Sequence, residues 1–277
     1  MNRYSIGLAA IISLLIATDL IIHKTDGDSL IVSLTQIEEI TFPTVNDTTY
    51  LISGDSLSVP LSQIDKITFS NVNDTPPTAD TILVYPGDDI NSIVDNNPEG
   101  TTFIIKSGIH RMQEIWPKNG NTFWGESGAI LNGSKELTEF EQEGGLYYAP
   151  DQTQEAWYGS TDMCLEGWER CYRPEDLFFD SEPLRHVTSL DIVESGEWFF
   201  DYDADRIYFA DDPEGHTIET SITTMAIHNS GSDVTLKNLL IEKYAVAIPA
   251  GAVGCCEPEP VNWLLENNEI RLNHGAG

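Results

Sequence analysis

Two basic residues near the C-terminal end of this sequence, Arg271 and His274, flank Asn273 in a chain with few cations to offer. Groups of this kind take or give a proton as general base or acid, and they are the candidate catalytic residues. The competing reading is that Arg271 decorates a solvent face and His274 fills a turn. Cys164 and Cys171 sit close together, whereas Cys255 and Cys256 are adjacent. A disulfide between the first two is expected in an oxidising compartment. The second two can pair with each other, with the first two, or not at all. Paired CxxC knuckles of a zinc site are lacking. Asp201, Asp203 and Asp205 imitate the start of a calcium loop. Arg206 replaces its sharp-turn glycine and Asp212 its closing Glu, so an acidic hairpin turn is the better reading and no metal set is assigned. No HExxH, phosphate loop or dinucleotide fingerprint occurs, and Gly125-Glu-Ser-Gly128 falls short of a nucleophile elbow.

The elements that must position these residues are bounded by composition. The 277 residues carry 14 Lys+Arg against 45 Asp+Glu, a formal net charge of -31. That excludes the basic footprint a nucleic acid needs, and it repels acidic polymers unless a divalent cation or a local basic cluster intervenes. Hydrophobic residues make up 40%, enough for a globular core. At the N-terminus, Arg3 precedes an apolar run from Ile6 to Ala17. The run matches the core of an export signal and is shorter than the roughly 20 residues of a membrane span. Residues 1–18 are therefore expected to be a signal peptide and the protein to be secreted or on the cell surface. The alternative is an uncleaved anchor, since Leu20-Ile21-Ile22 continues the apolar stretch.

A tandem repeat follows at about 19–70. Residues 21–42 and 50–69 align at an offset of 27 (54 − 27 for the glycines, 69 − 42 for the phenylalanines). Each copy reads as a strand, a Gly-Asp turn, a second strand and a segment ending in Ile-Thr-Phe. Gly-Asp-Ser-Leu occurs in both copies, from Gly27 and Gly54, without a matched histidine, so a polar turn explains it better than a nucleophile does. The copies are too small to bury their apolar faces alone and are expected to pack together. The repeat resembles short modules near the N-termini of exported proteins of Bacteroidetes-type bacteria. Residues 71–80, with Pro76-Pro77, read as an extended linker.

From Thr81 short strands alternate with frequent turns, a pattern that suits neither βαβ units nor an ordinary sandwich. The segments "DTILVYPGDDINSIVDNNPEGTTFIIKSGIHR" and "PKNGNTFWGESGAILNGS" resemble the start of a right-handed parallel β-helix of the pectate-lyase-like class. The resemblance implies an all-β fold over 81–277, with a short capping helix near Ile90–Val94. Residues 217–224, 234–244 and 262–273 are expected as later rungs, with Asn238 and Asn267-Asn268 stacking as an asparagine ladder. An insertion at about 134–215 is expected to form hairpins. Its "CYRPEDLFFDSEPLRHVTSL" and "GEWFFDYDADRIYFADDPEGHTIE" resemble a segment of bacterial β-helix proteins that act on or near polysaccharides. The last residues, Asn273 to Gly277, stop where the family continues into another rung, which is expected to leave the β-helix incomplete.

The resemblance carries a polysaccharide substrate or ligand. A lyase would use a basic residue with Ca2+ neutralising a uronate carboxylate, and a hydrolase would use a carboxylate pair across the scissile bond. The alternative is a non-catalytic surface or adhesion module that binds glycans or partner proteins. Trp157, Trp168 and Tyr172, with Tyr158 and Trp198 nearby, offer aromatic faces that stack on sugar rings, or they form the core of the insertion.

Overall fold

The computed structural model describes residues 81–277, apart from 157–163, 249, 255–260 and 276–277, together with the backbone of six strands within 19–70. The expected signal, the linker, the turns at Gly27 and Gly54, Trp157, Cys255 and Cys256 lie outside the described residues. The chain divides into two compact units, Met1–Pro76 and Pro77–Gly277.

In the first unit the first repeat copy supplies β1 (Asp19–Lys24), β2 (Ser29–Ser33) and β3 (Glu39–Thr41). The second supplies β4 (Thr48–Ile52), β5 (Ser56–Pro60) and β6 (Ile64–Ser70). Each copy makes its own antiparallel hairpin, β1 with β2 and β4 with β5. The third strands are exchanged: β6 pairs with β1, and β3 pairs with β4. Neither copy completes a three-stranded sheet from its own residues, which is how two small units become mutually dependent.

The second unit opens with β7 (Thr81–Val84) and a single-turn helix α1 (Ile90–Asp95). Asp89 caps the helix, accepting from Ser92 N at 3.0 Å, and Ile90 and Val94 point into the core. Next come β8 (Thr102–Ile105), β9 (Gly108–Arg111), β10 (Thr122–Gly125) and β11 (Ala129–Asn132). These strands alternate between two parallel sheets: β8 lies beside β7 and β10, while β9 lies beside β11. In-register stacking puts like on like, so Phe103 stacks on Phe123 at 5.2 Å between ring centroids, and Leu131 and Ile241 face the same core. Parallel strands covered on one side by their own core read as short β-branched and aromatic runs, as these do.

The chain then leaves the stack through β12 (Ser134–Leu137), β13 (Glu141–Glu143) and β14 (Leu146–Ala149). It continues through β15 (Leu177–Phe179), β16 (Glu182–Pro183), β17 (Arg185–His186), β18 (Glu197–Asp201), β19 (Arg206–Phe209) and β20 (Ile218–Ser221). Here pairing is antiparallel except for β17 with β18. A second core of Leu137, Leu177, Trp198, Phe200, Phe209 and Ile218 fills this part. Trp198 is thus packing rather than a ligand platform. The 201–206 hairpin turn is tied by the Asp201 carboxylate, which accepts from Asp203 N at 3.2 Å and Ala204 N at 3.1 Å.

One expected rung is corrected. Residues 217–224 do not join a parallel sheet, because β20 lies between β12 and β15 in an antiparallel sheet. All four residues of β20 are buried, and a short run buried on both faces does not reveal the direction of its partners. The parallel stack resumes with β21 (Thr235–Lys237), β22 (Leu240–Glu242), β23 (Leu264–Glu266) and β24 (Glu269–Arg271). β21 and β23 extend the β10 sheet, and β22 and β24 extend the β11 sheet. Parallel bridges Ile115–Ile227–Val253 add a third column. The turns repeat as well: Asn238 and Asn267, each following an in-register pair, take φ of 59° and 54°, a region asparagine tolerates. Asn268 donates to Leu236 O at 2.8 Å and accepts from Leu239 N at 3.0 Å, stitching one layer to the next.

Candidate functional site

The last residues of β9, β11, β22 and β24 are in register, which lines up Arg111, Asn132, Glu242 and Arg271 on one flank. Arg271 Nε donates to Glu242 Oε2 at 3.0 Å, and Asn132 Nδ2 donates to Glu242 Oε1 at 3.3 Å. Arg271 also reaches Glu269 at 3.1 Å, so the guanidinium, half-exposed, is divided between two carboxylates. Burial works against its charge, and those carboxylates more than restore it, raising its pKa.

Glu219 enters the same flank from β20. It is 3% exposed and accepts from Arg111 Nη1 at 2.6 Å, from Ser134 Oγ at 2.9 Å and from the Lys243 ammonium. Lys243 is itself 2% exposed and also donates to Ser181 Oγ at 3.0 Å. Burial pushes the Glu219 carboxyl up, but the hydrogen bonds and charges of Lys243 and Arg111 outweigh it and hold the pKa below the ordinary value. This cluster joins the antiparallel insertion to the parallel stack.

His274 lies farther along the flank. Its Nε2 faces Cys171 O at 2.6 Å and its Nδ1 faces Asp176 Oδ1 at 3.1 Å. Both partners are acceptors, so only the doubly protonated ring satisfies both. Burial lowers the pKa, but Asp176 and the Cys171 carbonyl overcome it and the net direction is up. In this geometry His274 holds a proton; to act as a base it must first give one away. Beside it, Glu175 is fully buried and accepts from Ala156 N at 2.5 Å and Tyr202 Oη at 3.0 Å. Burial dominates there and raises the carboxyl toward its neutral form, despite the Arg173 guanidinium stacked over Tyr202 at 4.2 Å. The Tyr202 phenol is pushed up in turn by burial and by Glu175.

Cys164 and Cys171 are joined by a disulfide, and the loop it closes presents the carbonyl that His274 uses. Trp168, on that loop, is 55% exposed. Tyr172 is half-buried with the Arg173 guanidinium 5.6 Å from its ring centroid. The structure therefore brings His274, the disulfide loop and Tyr172–Arg173 together, and places Arg271 in the adjoining ladder. Sequence reasoning missed Glu242, Asp176, Glu175, Tyr202, Arg111, Glu219 and Lys243. One signal was available: the spacing between Asn238 and Asn267 is also the spacing between Glu242 and Arg271, and it pairs them directly.

No protein-family model matches the chain, and no curated protein matches it. Among solved structures, the complex of XylC with xylose superposes with a TM-score of 0.50 at 15% identity. That superposition covers 66% of this chain and 37% of XylC, so the chain spans little more than a third of that protein. A glycoside hydrolase superposes with a TM-score of 0.37 at 11% identity, covering 60% of this chain and 51% of the other. At these identities the XylC likeness establishes the fold alone: a mostly β protein built on parallel sheets.

Proposed function

We propose that this chain belongs to a secreted, carbohydrate-active protein of the right-handed parallel β-helix type, directed at a neutral polysaccharide. Consecutive strands alternate between two parallel sheets while a third column of bridges runs alongside, which supports the β-helix reading. XylC, which shares the fold, was solved with xylose, and this brings a sugar into consideration here. Charge narrows the class. Arg111, Arg173, Arg206, Lys237, Lys243 and Arg271 each lie against a carboxylate, leaving little local positive potential for a uronate in a chain of net charge -31. A uronate lyase would need Ca2+ to bridge that repulsion; a neutral glycan needs no such ion.

The observation that carries the assignment of a site is the His274–Asp176 pair, set beside Glu175 where the insertion meets the parallel stack. Of these groups His274, 13% exposed at its side chain, is the one whose hydrogen bonds favour a held proton, and the fully buried Glu175 lies beside it. A second reading, glycan binding without cleavage, is favoured by the burial of Glu175 and Glu219, since a hydrolase needs two carboxylates that reach the scissile bond. The test is a polysaccharide panel with and without Ca2+. New reducing ends on neutral glycans, without ultraviolet-absorbing unsaturated products, are expected. Unsaturated products from a uronate polymer would overturn the neutral-glycan reading, and binding without any cleavage would select the second one. Export is tested by removing residues 1–18, which should leave the protein in the cytoplasm.

A further inference from the structure

A cavity of about 520 Å³ lies beyond the Arg111 end of the flank just described, between α1 and the third column of bridges. Trp116 lines it and is 42% exposed, an unusual position for so large an aromatic side chain. His228 packs flat beneath the indole, 3.9 Å between centroids and 9° between planes. That stacking follows from the Ile115–Ile227 bridge, which puts the next residue of each segment in register. One indole face is therefore supported by His228, and the side chain, still largely exposed, lines the cavity.

The polar rim is fixed in place. Asn91 Oδ1 accepts from Trp116 N at 3.0 Å, anchoring the backbone that carries the indole. Gln113 accepts from Ile90 N and donates to Arg111 O, both at 2.9 Å, and Thr224 Oγ1 donates to Glu114 Oε1 at 3.1 Å. The second carboxylate oxygen of Glu114 and the lone pairs of the Thr224 hydroxyl remain as acceptors. Met112, 48% exposed, adds an apolar wall. Among the described residues no cation lines the cavity, and Asp89 and Glu114 give it negative charge.

We propose that this cavity is a subsite for a neutral pyranose, with the sugar's apolar C–H face on Trp116 and its hydroxyls donating to Glu114 and Thr224. The chemistry fits: a supported aromatic face, fixed acceptors for hydroxyl donors, and a negative potential that rejects uronates and other anions. The proposal rests on the carbohydrate reading only for the class of ligand. It requires no cleavage, because Trp116 is outside the His274–Asp176 flank.

The test is isothermal titration calorimetry of the full chain with xylotetraose and cellotetraose, with tetragalacturonate and tetramethylammonium as controls. A neutral tetrasaccharide is expected to bind, Trp116→Ala to weaken it about tenfold, and Trp116→Tyr to stay within about threefold of wild type. Glu114→Gln, which keeps the shape, should weaken binding by less than Trp116→Ala does. An unchanged circular dichroism melting curve confirms that each variant is folded. Neutral binding that survives Trp116→Ala overturns the subsite and leaves the proposed function standing. Binding lost in Trp116→Ala in a protein that cleaves nothing upholds the subsite and overturns the enzymatic reading. Preference for tetragalacturonate or tetramethylammonium, or no saccharide binding, overturns the subsite.

Discussion

Glu219→Gln is the most informative single change in the fold. The carboxylate is 3% exposed and compensates Lys243, 2% exposed, together with Arg111, whose guanidinium is 2.6 Å away. Removing the negative charge leaves the buried Lys243 and the Arg111 guanidinium, 26% exposed at its side chain, facing an amide, and breaking a buried pair such as Lys243–Glu219 costs about 3–5 kcal/mol. Lys243→Met should cost roughly half as much, about 2 kcal/mol, because Glu219 keeps Arg111 and the Ser134 hydroxyl at 2.9 Å. Urea unfolding reads this directly: with a slope of about 2–3 kcal/mol per molar, the Glu219→Gln midpoint falls by about 1–2.5 M. The folded pKa of Glu219 lies below the ordinary value, so its stabilisation is whole above the unfolded carboxylate range, about 4.3, and is lost as pH falls through the folded pKa. Glu219→Gln should accordingly flatten the acid limb of the stability curve. A midpoint within experimental error of wild type, or a larger loss from Lys243→Met than from Glu219→Gln, would refute this reasoning.

Three further outcomes are expected. His186 packs on Trp198 at 3.9 Å with both ring nitrogens shielded and unpartnered, and burial, then Arg170 and His274, hold its pKa well below the ordinary value. The unfolded chain therefore takes up a proton that the folded one refuses, stability falls below about pH 6.5, and His186→Phe should remove that part of the loss when midpoints at pH 7 and pH 5 are compared. Replacing Cys164 and Cys171 together by Ser should cost about 2.5 kcal/mol in thermal unfolding and loosen the carbonyl that holds His274. Gly133→Ala would set a methyl carbon 2.6 Å from the Tyr244 ring and 2.7 Å from its Cα, so a loss of about 1–3 kcal/mol is expected from the same measurement.

The parallel stack was legible because its determinants are local and repeat. Runs such as Thr102–Ile105 and Thr122–Gly125 announce strands, Asp88-Asp89 announces the helix cap, and the asparagine spacing announces the layer period. The insertion was legible only as hairpins. Asp201–Arg206 is visible as a turn, but nothing local says that Ile218–Ser221 pairs with Ser134–Leu137. Strand exchange between the repeat copies was equally hidden, since similar copies offer similar partners. The site was the least legible part. Arg271 and His274 stand out by being rare cations, whereas their partners Glu242 and Asp176 are two acids among 45 and are distinguished only by where the chain brings them. Trp116 has no local signal of its role, since His228, which packs against its indole, is distant in sequence.

The proposal that this protein recognises a neutral rather than an acidic polysaccharide is open to calcium-free co-sedimentation. The full chain would be mixed with insoluble xylan and with insoluble pectate in the presence of a chelator, and the bound fraction read as salt is varied. Retention on xylan is expected to be insensitive to salt, because stacking and hydroxyl hydrogen bonds carry it, and no retention is expected on pectate. Retention on pectate without calcium, or salt-released binding to either polymer, would contradict it.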